Sequence, residues 1–375
     1  MLRKVLSLFV LLALSSTAIQ AQAPVDQTFF LTFVPNVQFA PVYVALEKGH
    51  FAANGLNITI EHGDENVGVD LIAAGERQFG LISGEEVIKA RANGRPVVMV
   101  YEWFQRYPVG IVTAADNGIE SVADLAGKKV GVPGRFGASY NGLIAILTAN
   151  GMTENDIQLE EIGFNAPDVF CLGAIDASVV YINNEPLQIQ QRAAVGECGD
   201  VQDVTIFPVA SAVDMVSNGL VTNEETIANN PELVQALVTA FDAGLRDAIN
   251  NPAETYLLSA KYVENLPMSD SLKTALEIAA NGQESFLQGD PSREAIADSR
   301  QALLDALSAQ FDAGDLIQLR VLMNTIDLWD AEQLGYSDRF SWEVTQEVLT
   351  QMAFITEPIN LDAAFTNDFI LGAEG

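Results

Sequence analysis

Apolar positions along this chain recur at two spacings, and the alternation between them sets the expected architecture. Residues 28–34 form an apolar run of strand type closed by Pro35-Asn36, and residues 41–46 repeat at helical spacing until Gly49. Residues 58–61 alternate as a second strand, 69–74 read as a helix ended by Gly75, and 79–82 as a third strand. Strand and helix in succession predict a parallel α/β sheet. Ligands of such sheets sit beyond the carboxyl ends of the strands, which places interest on Pro35-Asn36, His62-Gly63-Asp64 and Ser83-Gly84-Glu85.

Arg95-Pro96 introduces two longer β runs, 97–101 and 109–112, separated by an aromatic-rich stretch from Glu102 to Pro108. The α/β alternation restarts at Val130 and continues through 157–162 and 177–182 to 204–209. Two successive α/β units predict two lobes: residues 25–112 with 215–375 as the first, and 113–214 as the second, joined by a two-strand hinge. The β-like stretch 215–222 is expected to return the chain to the first lobe, because the remaining C-terminal residues are almost wholly helical in pattern. Asn230-Pro231 and Asn251-Pro252 are helix starts with Pro at the first helical position. Further helices are expected at 269–280, 292–311, 314–325 and 342–352, packed on the outside of a sheet.

One segment carries the chemistry most openly. The strand Lys-Lys-Val-Gly-Val breaks at Pro133 and enters Gly134-Arg135-Phe136-Gly137-Ala138-Ser139, succeeded by an apolar helix pattern through Leu143, Ile144 and Leu147. Glycines let the backbone approach a neighbour closely, and Ser139 is expected to cap the helix with its free N–H groups facing a ligand. The spacing matches neither a dinucleotide fingerprint nor a P-loop.

The ends and the composition narrow the function. Residues 1–23 combine Arg3 and Lys4, an apolar run and a small-residue tail, the pattern of a secretory leader. Cleavage is expected after Ala21, since a cut after Ala23 would meet Pro24. No cysteine lies near that cut to carry a lipid anchor, so the mature protein is expected on the outer or periplasmic side of the membrane. The formal charge is −31, from 50 Asp and Glu against 19 Lys and Arg, which argues against nucleic acid as a partner. The two histidines, His50 and His62, belong to no metal-ligand pattern, so no metal is expected. The two cysteines, Cys171 and Cys198, are expected to pair after export.

Several segments together resemble the family of extracytoplasmic solute-binding proteins related to the fungal enzyme that makes the thiamine pyrimidine. The resemblance is carried by residues 34–45 with Lys48-Gly49-His50-Phe51 and Gly55-Leu56, by 122–134, and by Leu334-Gly335-Tyr336-Ser337-Asp338 with Phe365-Thr366-Asn367-Asp368-Phe369. It implies the two-lobed type II fold of periplasmic binding proteins, acting as a monomer that closes on a ligand and presents it to an ABC-importer permease driven by a cytoplasmic ATPase. The fungal synthases consume a Lys-bound cofactor and use a histidine and a cysteine-rich loop. This chain has no cysteine cluster, and Lys48 and Lys128 read as surface residues, so neither catalysis nor a cofactor is expected.

Aromatic residues near strand ends point to a flat guest: Phe39, Trp103, Phe104, Tyr107, Phe136, Tyr140 and Tyr181. The polar candidates are Asn36, Gln38, Ser83, Glu85, Glu102, Arg106, Arg135, Asn183 and Glu185. Asn and Gln with an isolated carboxylate suit an uncharged ring with amide-like edges. Riboflavin is the favoured ligand, with a thiamine pyrimidine precursor of hydroxymethyl- or formylamino-pyrimidine type as the alternative. A sulfonate or nitrate binder and an exported sensor domain are the further readings.

Overall fold

The computed structural model describes residues 23–370; the expected leader lies outside them. Among the described residues there are ten strands: β1 Val25–Thr32, β2 Leu56–Gly63, β3 Phe79–Ser83, β4 Val97–Glu102, β5 Val109–Ala114, β6 Lys129–Val132, β7 Gln158–Glu161, β8 Ala177–Tyr181, β9 Val204–Pro208 and β10 Asn218–Asn223. They form two five-stranded sheets in the orders β2-β1-β3-β10-β4 and β7-β6-β8-β5-β9. Both orders carry the same logic: a parallel βαβ core into which one antiparallel strand has been inserted. β10 runs antiparallel to β3 and β4, and β5 runs antiparallel to β8 and β9. The sheets are therefore mixed where the alternation alone predicts parallel ones.

The chain passes between the sheets twice, at residues 103–108 and 209–217. β5 lies beyond the first crossing and belongs to the second sheet, so the boundary expected after residue 112 falls instead before β5. Periodicity could not show this, because β4 and β5 are equally apolar and only their hydrogen-bond partners tell them apart. The crossings are tied where they leave the first sheet, with Trp103 N and Phe104 N donating to Asn218 O at 2.9 and 3.1 Å.

Each sheet is covered on both faces. One face of the first sheet packs Phe29, Leu31 and Leu220 against helices Ala40–Glu47, Pro231–Asn250 and Ile317–Trp329. The other face packs Met99 and Val221 against Trp342 and Leu349 of helix Arg339–Gln351. The second sheet is flanked likewise, by helix Gly137–Ala149 on one side and by helices Ala166–Cys171 and Glu185–Ala194 on the other. A disulfide between Cys171 and Cys198 ties the ends of this last pair. No helix among the described residues is long and apolar enough to cross a membrane.

The sequence signals for helix starts are used in different ways. The Asn251 side chain accepts from Glu254 N, with Pro252 at the first helical position. Asn230 precedes Pro231 but makes no side-chain cap bond. The longest helix meets Ala40–Glu47 at a glycine: a Cβ on Gly244 would lie 2.3 Å from Pro41 O. Backbone cannot yield there as a side chain can, so Gly244→Ala is expected to cost about 1–3 kcal/mol by overpacking. Urea unfolding of that variant against the parent checks it, and an unchanged midpoint would show that the helices separate freely.

Candidate functional site

The space between the two sheets holds a cleft with an empty volume of about 860 Å³, open solvent at its mouth included. The first lobe contributes Thr32 and Phe33 at the end of β1, Gln38 and Phe39 on the following turn, and Glu65 at the start of helix Glu65–Ala73. The second lobe contributes Pro133, the loop Phe136 to Ser139, Gly163, Phe164, Ala166, the end of β8 and Glu185. Trp103 and Phe104 line it from the first crossing, and Asn218 from the start of β10.

Of the residues expected at the site, Gln38, Phe39, Trp103, Phe104, Phe136, Tyr181 and Glu185 line this space. Others support it from behind. Asn36 caps the turn by accepting from Gln38 N at 3.0 Å. Ser83 donates its N–H to Glu65 Oε1 at 2.5 Å, and Glu85 is fully buried, accepting from Tyr107 Oη at 2.7 Å. Asn183 donates to Gln38 Oε1 and to Thr325 Oγ1, at 2.8 and 2.7 Å, pinning the second lobe to the first.

Three expected residues face elsewhere. Arg106 is exposed and donates to Asp327 O. Arg135 forms exposed ion pairs with Glu154 and Glu161. Tyr140 donates to Glu154 Oε2 at 2.6 Å and stacks on Phe354. In each case an acceptor on the outer surface lies within reach.

Ser139 is not the helix cap. The helix already begins at Gly137, and no side chain of its own segment caps it. Its first N–H groups are taken from across the cleft instead: Ala138 N donates to Glu65 Oε2 at 3.2 Å and Gly137 N to Glu86 Oε1 at 3.1 Å. Glu86 Oε1 also accepts from Asn141 Nδ2 and Lys89 Nζ, each at 2.8 Å. The acidic residue just past the end of β2 was the sequence signal for Glu65. Phe33 and Phe164, also missed, sit just past β1 and β7 and meet edge to face at 4.8 Å, one from each lobe. Phe33 holds φ at 150°, a conformation that L residues keep only under constraint from their surroundings.

The aromatic wall is continuous. Trp103 stacks at shallow angles on both Phe39 and Trp329 and is only 3% exposed, so its ring is engaged by protein. The lining rings with free surface are Phe33, Phe136, Phe164 and Tyr181. The charge pattern is one-sided: the lining includes the carboxyls of Glu65 and Glu185 and no Lys, Arg or His. Glu185 accepts from Tyr181 N at 2.8 Å and from Asn184 Nδ2 at 2.9 Å.

Burial sets the protonation of this region. Desolvation pushes Glu185 and Glu102 up to about 7. Desolvation and then repulsion from Glu86 push Glu65 to about 7, and desolvation with repulsion from Glu65 takes Glu85 to about 8. All four hold a proton more tightly folded than unfolded, so their contribution to stability is complete below the ordinary carboxyl value and is lost as pH rises through 7 to 8. The unfolding free energy is expected to fall from the ordinary carboxyl value, about pH 4.5, up to about pH 8 and to level off above it, each unit by which a carboxyl is raised being worth about 1.4 kcal/mol. Urea midpoints across that range test it; a midpoint rising with pH would contradict the assignment.

Residues 36–255 match the family described as NMT1/THI5 like. The riboflavin-binding protein RibY of Chloroflexus aurantiacus is 30% identical over 96% of this chain and 90% of its own length. The 4-amino-5-hydroxymethyl-2-methylpyrimidine phosphate synthase of Legionella pneumophila is 25% identical over 66% of this chain and 77% of its own. Among solved structures, the ligand-binding component of an ABC-type import system from Staphylococcus aureus superposes with a TM-score of 0.59 at 12% identity, covering 93% of this chain and 99% of that one. This likeness is one of fold, the two-lobed fold of periplasmic binding proteins.

Proposed function

Because the chain belongs to the NMT1/THI5-like family, we propose that it is the solute-binding component of an ABC import system and captures riboflavin, unchanged, between its lobes. After export to the outer face of the membrane, the closed form would pass its guest to a permease coupled to a cytoplasmic ATPase. The observation that carries the reading is a cleft walled by aromatic rings and free of cationic side chains. An uncharged three-ring system gains from stacking on Phe33, Phe136 and Phe164, whereas a sulfonate or nitrate would meet two carboxyls and no counter-charge.

The polar groups fit the edge of such a ring. Gln38 Oε1 is engaged by Asn183 and Asn218 Oδ1 by the Tyr181 hydroxyl, so the amide N–H groups are what these side chains offer to ring carbonyls. Glu185, Glu65 and Ser139 supply acceptors for a ring N–H. A pyrimidine precursor is the second reading, because a carboxyl such as Glu185 pairs well with an amino-substituted ring edge. Binding without turnover is supported by the chemistry at hand: the two cysteines are bridged, and His62 is held by Phe33 O.

Titration of the mature protein with riboflavin, an aminopyrimidine, nitrate and taurine, monitored by intrinsic fluorescence, tests the reading. Saturation by riboflavin is expected, and saturation by the small anions alone would overturn it. Phe136→Ala and Phe164→Ala are each expected to weaken riboflavin binding by about 1–3 kcal/mol, the cost of a lost aromatic anchor. Parental affinity in both variants would move the ring site away from these two side chains.

A further inference from the structure

The N–H groups that open helix Gly137–Ala149 form the kind of seat that binds anions, and in this protein a side chain of the opposite lobe already sits in it. Glu65 is 7% exposed. One oxygen is held within its own lobe by Ser83 N, and the other crosses the cleft to Ala138 N. The far side is shaped to receive it. Gly137 has φ +67°, and a Cβ there would stand 2.4 Å from Glu65 Oε2, so only glycine admits the carboxylate at this distance. The neighbouring contacts also run between lobes: Glu86 to Gly137 and Asn141, Lys89 Nζ to Asn141 Oδ1 at 3.2 Å, and Tyr107 Oη to Glu85 Oε1 and to Ala138 O at 3.0 Å.

We infer that Glu65 is the latch and the charge filter of the cleft: when the lobes shut it occupies the helix seat that an anionic solute would use, so closure needs no negative charge on the guest and works against one. The filter half rests on the riboflavin reading, and the latch half does not. A guest bearing a phosphate must displace Glu65 or lie beside it, and either course is unfavourable where the lining holds no cation. Closure also depends on steric room at Gly137, so a change on one lobe is felt through a residue of the other.

The latch is tested by compensation. Spin labels on Glu76→Cys in the first lobe and Asn150→Cys in the second report the separation of the lobes in the full mature chain, with and without riboflavin. The parent is expected to show a short-distance population that Gly137→Ala loses, with riboflavin affinity falling tenfold or more. Adding Glu65→Ala to Gly137→Ala removes the atom that the new methyl would strike and is expected to restore part of that population. A double variant no more closed than Gly137→Ala, or a parent without a short-distance population in either condition, would overturn the latch.

The filter is tested by affinity ratios. At pH 8.5, above the value near 7 to which burial raises Glu65, the parent is expected to bind riboflavin at least 100-fold more tightly than its 5′-phosphate, and Glu65→Gln to narrow that ratio tenfold or more, while the surface change Asp116→Asn leaves it unaltered. An unchanged ratio in Glu65→Gln overturns the filter even if both affinities drop. A parent that binds no flavin defeats the riboflavin reading and the filter with it, and leaves the latch to the distances measured without ligand.

Discussion

A helix that begins inside a closed cleft must have its first N–H groups satisfied there, and in this protein the acceptors come from the other lobe. Glu65 and Glu86 accept from Ala138 N and Gly137 N, so the second lobe's principal helix is complete only when the first lobe lies against it. The rest of the closed geometry is consistent with this one demand. Gly137 leaves room for the carboxylate, the crossings are tied at Asn218, and Asn183 pins the two lobes together through Gln38 and Thr325. Unpaired buried amides cost about as much as a lost hydrogen bond, which makes the join specific as well as attractive.

The same carboxylates give the cleft its chemical character. A site lined by Glu65 and Glu185, walled by aromatic rings and without a basic side chain favours neutral, flat and polar-edged molecules. The strong overall acidity of the chain, −31, adds to the bias, since the field of the whole protein repels anions before they arrive. On the proposed reading, selection acts at two ranges, by long-range field and by the local lining.

Much of the fold was legible in the sequence because apolar periodicity reports directly on burial. The strands from β1 to β10, the helical tail and the return of the chain to the first sheet all derive from runs that must be covered on one face or both. What the pattern could not show was pairing. β4 and β5 look alike as sequences, and only their partners place them in different sheets. The same limit explains the site. Gln38, Phe39, Trp103, Phe104, Phe136, Tyr181 and Glu185 lie at strand ends and crossings, where position along the chain predicts position in the cleft. Arg106, Arg135 and Tyr140 lie equally close in sequence, but Asp327, Glu154 and Glu161 draw them outward, and those partners are remote along the chain. Glu65 escaped notice for the converse reason: its partners, Ser83 and Ala138, meet only when two lobes close.

On the proposed function, one uncharged flavin is held between the lobes and released chemically intact. Saturating the protein with riboflavin, removing the excess, unfolding the complex and analysing the released molecule by absorbance and mass tests this most directly. One molecule of unaltered riboflavin per chain is expected. Recovery of no flavin, or of a product with a changed mass, would contradict it.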